Sequence, residues 1–417
     1  MSTPAAARRD VTLLFATRAV RLFAYGFLSV VLVLYLGAVG LSEAESGLLL
    51  TLTLLGDTAV SLWITTRADR AGRRRMLRLG AGLMVLAGAA FASTRSFTLL
   101  LVAATLGIIS PSGNEVGPFL AVEQASLSQA IAPERRTQVF AWYQLTGSFA
   151  TALGALAGGS LAQVLQRSGA SELASYRAVV LGYAALGGLL FVLFTRLSPA
   201  AEAPAARRGP SRPSLLEPGL GLSRSRGVVL RLSALFSVDA FAGGFIVQSF
   251  VAYWFHRKFG ASEAALGAIF FGANVLAGIS ALSAAAIARR IGLVNTMVFT
   301  HVPSSALLFL VPLMPSLPLA VGVLLLRFSI SQMDVPTRQS YTMAVVDPDE
   351  RSAAAGVTNI ARTVGASLAP LAAGPLYASA ALASLPFFLC AGLKIAYDFA
   401  LWRGFRALRP PEEAGRG

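Results

Sequence analysis

A single cysteine, Cys390, stands in 417 residues. This excludes an intramolecular disulfide and any cysteine-based metal cluster, and leaves Cys390 as a small apolar packing residue. Charge is scarce too. Asp, Glu, Lys and Arg make up 13% of the chain against 55% hydrophobic residues, and the mean hydropathy is +0.66. That is more apolar sequence than a soluble globular protein of this length needs. There is no Walker lysine motif, which argues against ATP drive from this chain. Neither a metal-ligand cluster nor a nucleophile–base arrangement is legible, so neither an enzyme nor a metal cofactor is expected. The stretch Met1 to Asp10 lacks a small-residue cleavage site after a short apolar core, so no removable signal peptide is expected.

What the chain does have is long apolar runs. A bilayer span takes about 20 predominantly apolar residues, and roughly twelve runs approach that length. They lie near 13–38, 47–66, 77–94, 97–117, 138–165, 177–195, 229–254, 264–288, 294–313, 317–346, 354–378 and 385–403. The net charge of +15 is not spread evenly. With the N-terminus inside, the Lys and Arg residues crowd into alternate loops, the positive-inside pattern, which places both termini in the cytoplasm. The basic balance is therefore topology, and no nucleic-acid partner is expected.

Residues 197–228 form the one long polar interruption, rich in Pro, Arg and Ser, and read as a flexible cytoplasmic linker. About six spans flank it on each side. The halves repeat: Gly40-Leu-Ser-Glu-Ala-Glu-Ser-Gly47 reappears 220 positions on as Gly260-Ala-Ser-Glu-Ala-Ala-Leu-Gly267. In both, a Ser before a Glu can satisfy free N–H groups at a helix start. At the same offset Asp69-Arg70-Ala71-Gly72 lies over Arg289-Arg290-Ile291-Gly292. A second register, 215 apart, sets Glu123-Gln124 over Arg338-Gln339, Pro133 over Pro348, Arg136 over Arg351 and Gly154 over Ala369. A duplicated six-helix unit accounts for all of these. The expected fold is an all-α membrane protein of twelve transmembrane helices, a six-helix bundle over 1–196, the linker 197–228 and a second bundle over 229–417.

Between the second and third runs lies Arg67-Ala68-Asp69-Arg70-Ala71-Gly72-Arg73-Arg74-Arg75-Met76-Leu77, which cannot enter lipid and must turn at the membrane face. It resembles the G-x-L-A-D-R-x-G-R-R-x-x-L signature of the major facilitator superfamily. The match holds at Ala68, Asp69, Arg70, Gly72, Arg73, Arg74 and Leu77, while Thr65 and Arg67 replace a glycine and a leucine. The resemblance implies two bundles around a central cavity, lined by helices one, four, seven and ten, rocking to open on alternate sides. It also implies a cytoplasmic gate that includes Asp69, Arg70, Gly72 and Arg73, with Glu123 as the acidic partner of the loop arginines.

Ionisable groups within apolar spans default to functional hypotheses. Asp57 lies mid-span and is a candidate for reversible proton binding; the alternative is a structural partner for Arg18 or Arg21. Arg21, in Arg21-Leu-Phe-Ala-Tyr25-Gly26, resembles the first helix of proton-coupled oligopeptide transporters, a branch of the same superfamily. The acids of that branch's Glu-x-x-Glu-Arg are Thr17 and Val20 here, which argues against peptide–proton symport by that route. Arg21 is then either an anion partner or a snorkelling side chain near the inner interface. In span four, Pro111, Gly113, Gly117 and Pro118 break helical hydrogen bonding, tolerable only against protein or a wet cavity. Asn114 and Glu115 are therefore expected to line the cavity.

Asp239 sits mid-span in helix seven. Asp334 and Arg338 are spaced to pair on one helix face, and Arg362 needs an anion such as Asp334. Lys394 and Asp398, at the same spacing, are expected to neutralise each other, and His301 to be a packed, hydrogen-bonded side chain. The small-residue run Gly147–Gly159 permits close helix packing and resembles the Gly-x-x-x-Gly-Pro-x-x-Gly-Gly signature of superfamily exporters, with Ala150 and Ala155 in place of a glycine and the proline.

The expectation is a monomeric transporter of the cell inner membrane, driven by an ion gradient with protons as the expected ion. It would move a small organic solute, with efflux slightly favoured. Uptake of an organic anion is the alternative within transport. A non-transporting sensor or scaffold on the same fold is the alternative outside it.

Overall fold

A computed structural model describes residues 4–115, 117–131, 136–202, 222, 224–347 and 350–408. Sixteen α-helices run through the described residues. They are α1 (Pro4–Ser29), α2 (Leu32–Val39), α3 (Glu43–Ala71), α4 (Arg73–Ser93), α5 (Phe97–Leu106), α6 (Phe119–Ala130), α7 (Arg136–Arg167) and α8 (Glu172–Thr195), then α9 (Arg226–Gly244), α10 (Gln248–Phe259), α11 (Glu263–Ile291), α12 (Leu293–Leu310), α13 (Leu317–Phe328), α14 (Asp334–Ala344), α15 (Arg351–Ala378) and α16 (Leu385–Phe405).

By length and composition, nine of the described helical segments can cross a membrane, counting α9–α10 as one. The other expected spans differ for identifiable reasons. In spans four and ten the apolar helices, α5 and α13, are short. Span eleven is the 28-residue α15, which carries Arg362 and two internal prolines. Spans one, four, seven and ten are all broken, into α1–α2, α5–α6, α9–α10 and α13–α14. In span four the break follows from Pro111, Pro118 and two left-handed glycines, Gly113 at φ 70° and Gly117 at φ 83°. In span one, the Ser29 hydroxyl donates back to the Gly26 carbonyl at 3.0 Å, a bond that bends helices.

The repeat is visible in the backbone. Helices α3 and α11 are both 29 residues long. Each follows a left-handed glycine (Gly40 at φ 105°, Gly260 at φ 65°) and ends at another (Gly72 at φ 99°, Gly292 at φ 87°). Ser42 and Glu45 form a capping box at the start of α3; Ser262 accepts from the Ala265 N–H at 3.3 Å at the start of α11. The sequence repeat thus records caps and turns, which need particular residues.

Two compact units result. The first comprises Met1–Ser211 with Gln248–Phe271, the second Arg212–Val247 with Gly272–Gly417. Within the first, α10 and the start of α11 are tied in by polar contacts. Glu263 accepts from the Tyr176 hydroxyl at 2.6 Å and from Gln166 at 3.0 Å, and Arg257 pairs with Glu43 at 2.9 Å. The small-residue run of α7 seats α1 backbone to backbone: a Cβ on Gly154 would lie 2.0 Å from the Phe23 carbonyl oxygen, and one on Gly158 2.1 Å from that of Phe27. In the second unit α9 meets α15 in the same manner, Gly365 against the Ser237 carbonyl. Large apolar side chains such as Leu86, Val164 and Phe399 point outward, as a lipid-facing surface requires.

Candidate functional site

Each unit encloses a cluster of charges. In the first, α1 presents Arg18 and Arg21, both essentially without solvent exposure. The broken span four supplies the carboxylates. Glu115, in the irregular stretch between α5 and α6, accepts from Arg18 Nη1 at 2.7 Å and from Arg21 Nε at 2.9 Å. Glu123, on α6 and fully buried, accepts from Arg21 Nη2 at 2.7 Å and from the Thr17 hydroxyl at 2.7 Å. The Tyr143 hydroxyl also donates to Glu123. Arg18 completes its donors with the Tyr143 carbonyl and the Gln144 side chain, each at 2.7 Å. Tyr143 and Phe119 lie face-on to the two guanidinium groups at 4.5 and 4.8 Å. Charges taken this far out of water persist only when paired and hydrogen-bonded on most sides, and here they are.

Four readings depart from the sequence. Arg21 does not snorkel; it is wholly buried, because acceptors from span four reach it. Asp57 pairs with neither Arg18 nor Arg21, whose donors are taken by glutamates. Its Oδ2 accepts from the Gly117 N–H at 3.1 Å, and its Oδ1 is buried without a hydrogen-bond partner. Glu123, expected to meet the loop arginines, pairs with Arg21. Asn114 is exposed, and it is the neighbouring Glu115 that enters the cluster.

Among the described loop arginines, Arg73 and Arg74 have partners of their own. Arg73 is buried; its side chain donates to Gln129. Gly72 begins α4 without a capping side chain, and the Glu202 carboxylate takes that role, accepting from the Arg73 N–H at 2.6 Å and the Arg74 N–H at 3.3 Å. A carboxylate at a helix N-terminus is favoured by the free N–H groups and the helix dipole. Sequence reading missed Glu202 because it stands in the stretch taken as linker; the signal was a helix start with glycine at the cap. Asp69 and Arg70 lie on the last turn of α3, and their side chains are outside the described residues.

In the second unit Asp239, on α9, is the hub. Lys394 Nζ lies 2.6 Å from its Oδ1, while Arg362 Nη1 at 3.1 Å and Arg338 Nη1 at 3.4 Å share its Oδ2. Asp334 and Arg338 pair along α14 at 2.7 Å. Two pairings depart from expectation. Lys394 goes to Asp239 instead of its own-helix neighbour Asp398, and Arg362 finds Asp239 instead of Asp334. Asp398 is held by His301, Nδ1 to Oδ1 at 2.9 Å. Lys394 Nζ is also 3.3 Å from His301 Nε2. A neutral imidazole protonated at Nδ1 satisfies both contacts, donating to Asp398 and accepting from Lys394.

Comparison with known proteins agrees with this architecture. The model of the Major Facilitator Superfamily matches residues 14–370. An uncharacterized membrane protein of Saccharomyces cerevisiae is 33% identical over 398 residues, covering 89% of this chain and 88% of that protein. A bacterial homologue of the human lysosomal transporter Spinster, in an inward-facing occupied conformation, superposes with a TM-score of 0.75 at 16% identity, covering 98% of this chain and 99% of that one. The nucleoside transporter NupG superposes with a TM-score of 0.72 at 15% identity, covering 95% and 99%.

Proposed function

This chain belongs to the Major Facilitator Superfamily, and from that premise we propose that it couples the movement of a small organic solute to a proton gradient by alternating access, with efflux the favoured direction. It is a multi-pass membrane protein and a secondary transporter, not an enzyme. The observation that carries the coupling ion is Asp57. Every other carboxylate of the first unit's buried cluster faces an arginine, whereas Asp57 has one backbone donor and one bare oxygen. An unpaired carboxylate in that setting is suited to take up and release a proton as the site opens to each side. The resemblance of Gly147–Gly159 to exporter sequences supports efflux. The arginine-rich turn supports a cytoplasmic-membrane location with both ends inside. No cofactor beyond the ion gradient is proposed, and a monomer suffices for the mechanism.

The test begins with the melting temperature of the purified protein against drugs, sugars, amino acids, peptides and organic acids at two pH values, since a ligand of the folded state raises it. Hits then enter flux assays in proteoliposomes with an imposed pH gradient. Flux of a hit driven by the gradient supports the reading; binding without flux in either direction favours a sensor on this fold instead.

Uptake of an organic anion is the second reading. It is favoured by Arg362, whose side chain keeps 29% of its exposure while sharing Asp239 with two other cations. Inhibition by anionic analogues, together with loss of transport in Arg362→Ala, separates it from export of a neutral or cationic solute.

A further inference from the structure

Around Asp239 the buried charges do not balance. Three carboxylates, Asp239, Asp334 and Asp398, stand with four basic side chains, Arg338, Arg362, Lys394 and Arg327, while the unit's other buried carboxylate, Glu350, is taken by the Arg224 and Ser225 N–H groups. The first three cations all reach a carboxylate. Arg327, in the last turn of α13, does not. It is only 9% exposed, yet its guanidinium makes no hydrogen bond or ion pair with any described residue, and its Nε is buried without a partner. Cys390 and Asp334 interact with it electrostatically, but a neutral thiol offers no charge, and Asp334 is committed to Arg338 at 2.7 Å. The one contact in place is the Phe328 ring, 5.0 Å from the guanidinium carbon.

A cation–π contact offsets only a fraction of the cost of burying an ion. Arginine cannot shed its proton to escape that cost, as a lysine can. The planar fork of five N–H donors matches a carboxylate or phosphate two bonds at a time. We propose that Arg327 is the receptor for the anionic group of the ligand, whose arrival supplies the missing negative charge. The proposal rests on the organic-anion reading above and places that anion's contact on α13, adjoining the Asp239 hub. Arg327 is unlike Arg18, Arg21, Arg338 and Arg362, each of which already holds an internal carboxylate and would have to give it up to bind another.

The experiment measures the melting temperature of the full-length purified protein. The probes are the sodium salts of benzoate, lactate, succinate, glucose 6-phosphate and phosphate, at ionic strength matched with sodium chloride, with benzamide as the uncharged counterpart of benzoate. At least one anion is expected to raise the wild-type melting temperature, and benzamide not to. In Arg327→Gln the half-saturating concentration of that anion should rise at least tenfold, while the probe-free melting temperature stays level or rises because an unpaired charge has gone. Arg327→Lys, which keeps the charge and loses the fork, should fold normally and bind more weakly than wild type. A phosphate response without a carboxylate response, lost in Arg327→Gln, identifies phosphate as the anionic group. An anion response that survives in Arg327→Gln, or a probe-free melting temperature that falls in it, overturns the proposal. So does the absence of any anion response. In that last case, gradient-driven flux of an uncharged solute leaves the transport reading standing; conversely, an anion response that is lost in Arg327→Gln but comes without flux leaves the receptor standing and overturns transport.

Discussion

Arg21 and Glu123 are 102 residues apart in the chain and 2.7 Å apart in space, Nη2 to Oε2, with no solvent exposure on either side chain. Each fills a need that its own helix cannot meet. The acids that precede the arginine in the resembling transporters are Thr17 and Val20 here. Span four brings carboxylates to Arg21 instead, and Thr17 donates to one of them at 2.7 Å.

Breaking that pair from one side strands a buried charge. Arg21→Ala should lower stability by about 3–5 kcal/mol, read as a fall in melting temperature and in monodisperse yield. Arg21→Met combined with Glu123→Gln should recover much of that loss, since neither residue then leaves a charge unpaired. If the double variant is as unstable as Arg21→Ala, the pair is not the source of the effect.

Asp57→Asn is expected to preserve the fold. The amide oxygen still accepts from the Gly117 N–H, now 3.1 Å from the carboxylate, so the change in stability should stay within about 0.5–1 kcal/mol. Gradient-driven flux should disappear, while substrate exchange at equal pH on both sides persists. Undiminished proton-coupled flux in the variant removes Asp57 from the mechanism.

Helix contact at glycine makes a contrast that needs no ligand. Gly154→Ala places a Cβ 2.0 Å from the Phe23 carbonyl oxygen, so α7 must move off α1; the expected cost is about 1–3 kcal/mol or more. Gly82→Ala on α4 meets nothing within 4 Å and should stabilise by a few tenths to about 1 kcal/mol. Equal melting temperatures for the two variants would contradict the packing described.

Asp239 and Asp398 should respond differently to the same chemistry. Asp239→Asn leaves Lys394 and Arg362 without their carboxylate, and a loss of about 3–5 kcal/mol is expected. Asp398→Asn retains an oxygen that can accept from His301 Nδ1, so the loss should be nearer 1 kcal/mol. Thermal unfolding of the two purified variants checks the ranking; a larger loss in Asp398→Asn would place the hub elsewhere.

Features with a local cause were legible in the amino-acid sequence. Apolar run length announces spans, Ser42 with Glu45 announces a helix start, and glycines at 40, 72, 260 and 292 announce left-handed turns, because each depends on neighbours a few residues away. The i,i+4 pairing of Asp334 with Arg338 was readable for the same reason. Lys394 and Asp398 have the identical spacing, yet tertiary structure set it aside. Asp239 and His301 approach from other helices to 2.6 and 2.9 Å, and inside the protein the closest hydrogen-bonded partner outweighs the nearest one in sequence. The same holds for Glu202 on the start of α4, for the glutamates that claim Arg18 and Arg21, and for Arg327, whose guanidinium meets no carboxylate among the described residues. The sequence determined that these charges lie inside the membrane protein. Which of them meet, and which one is left waiting, depends on contacts between helices distant in the chain, and only the fold decided that.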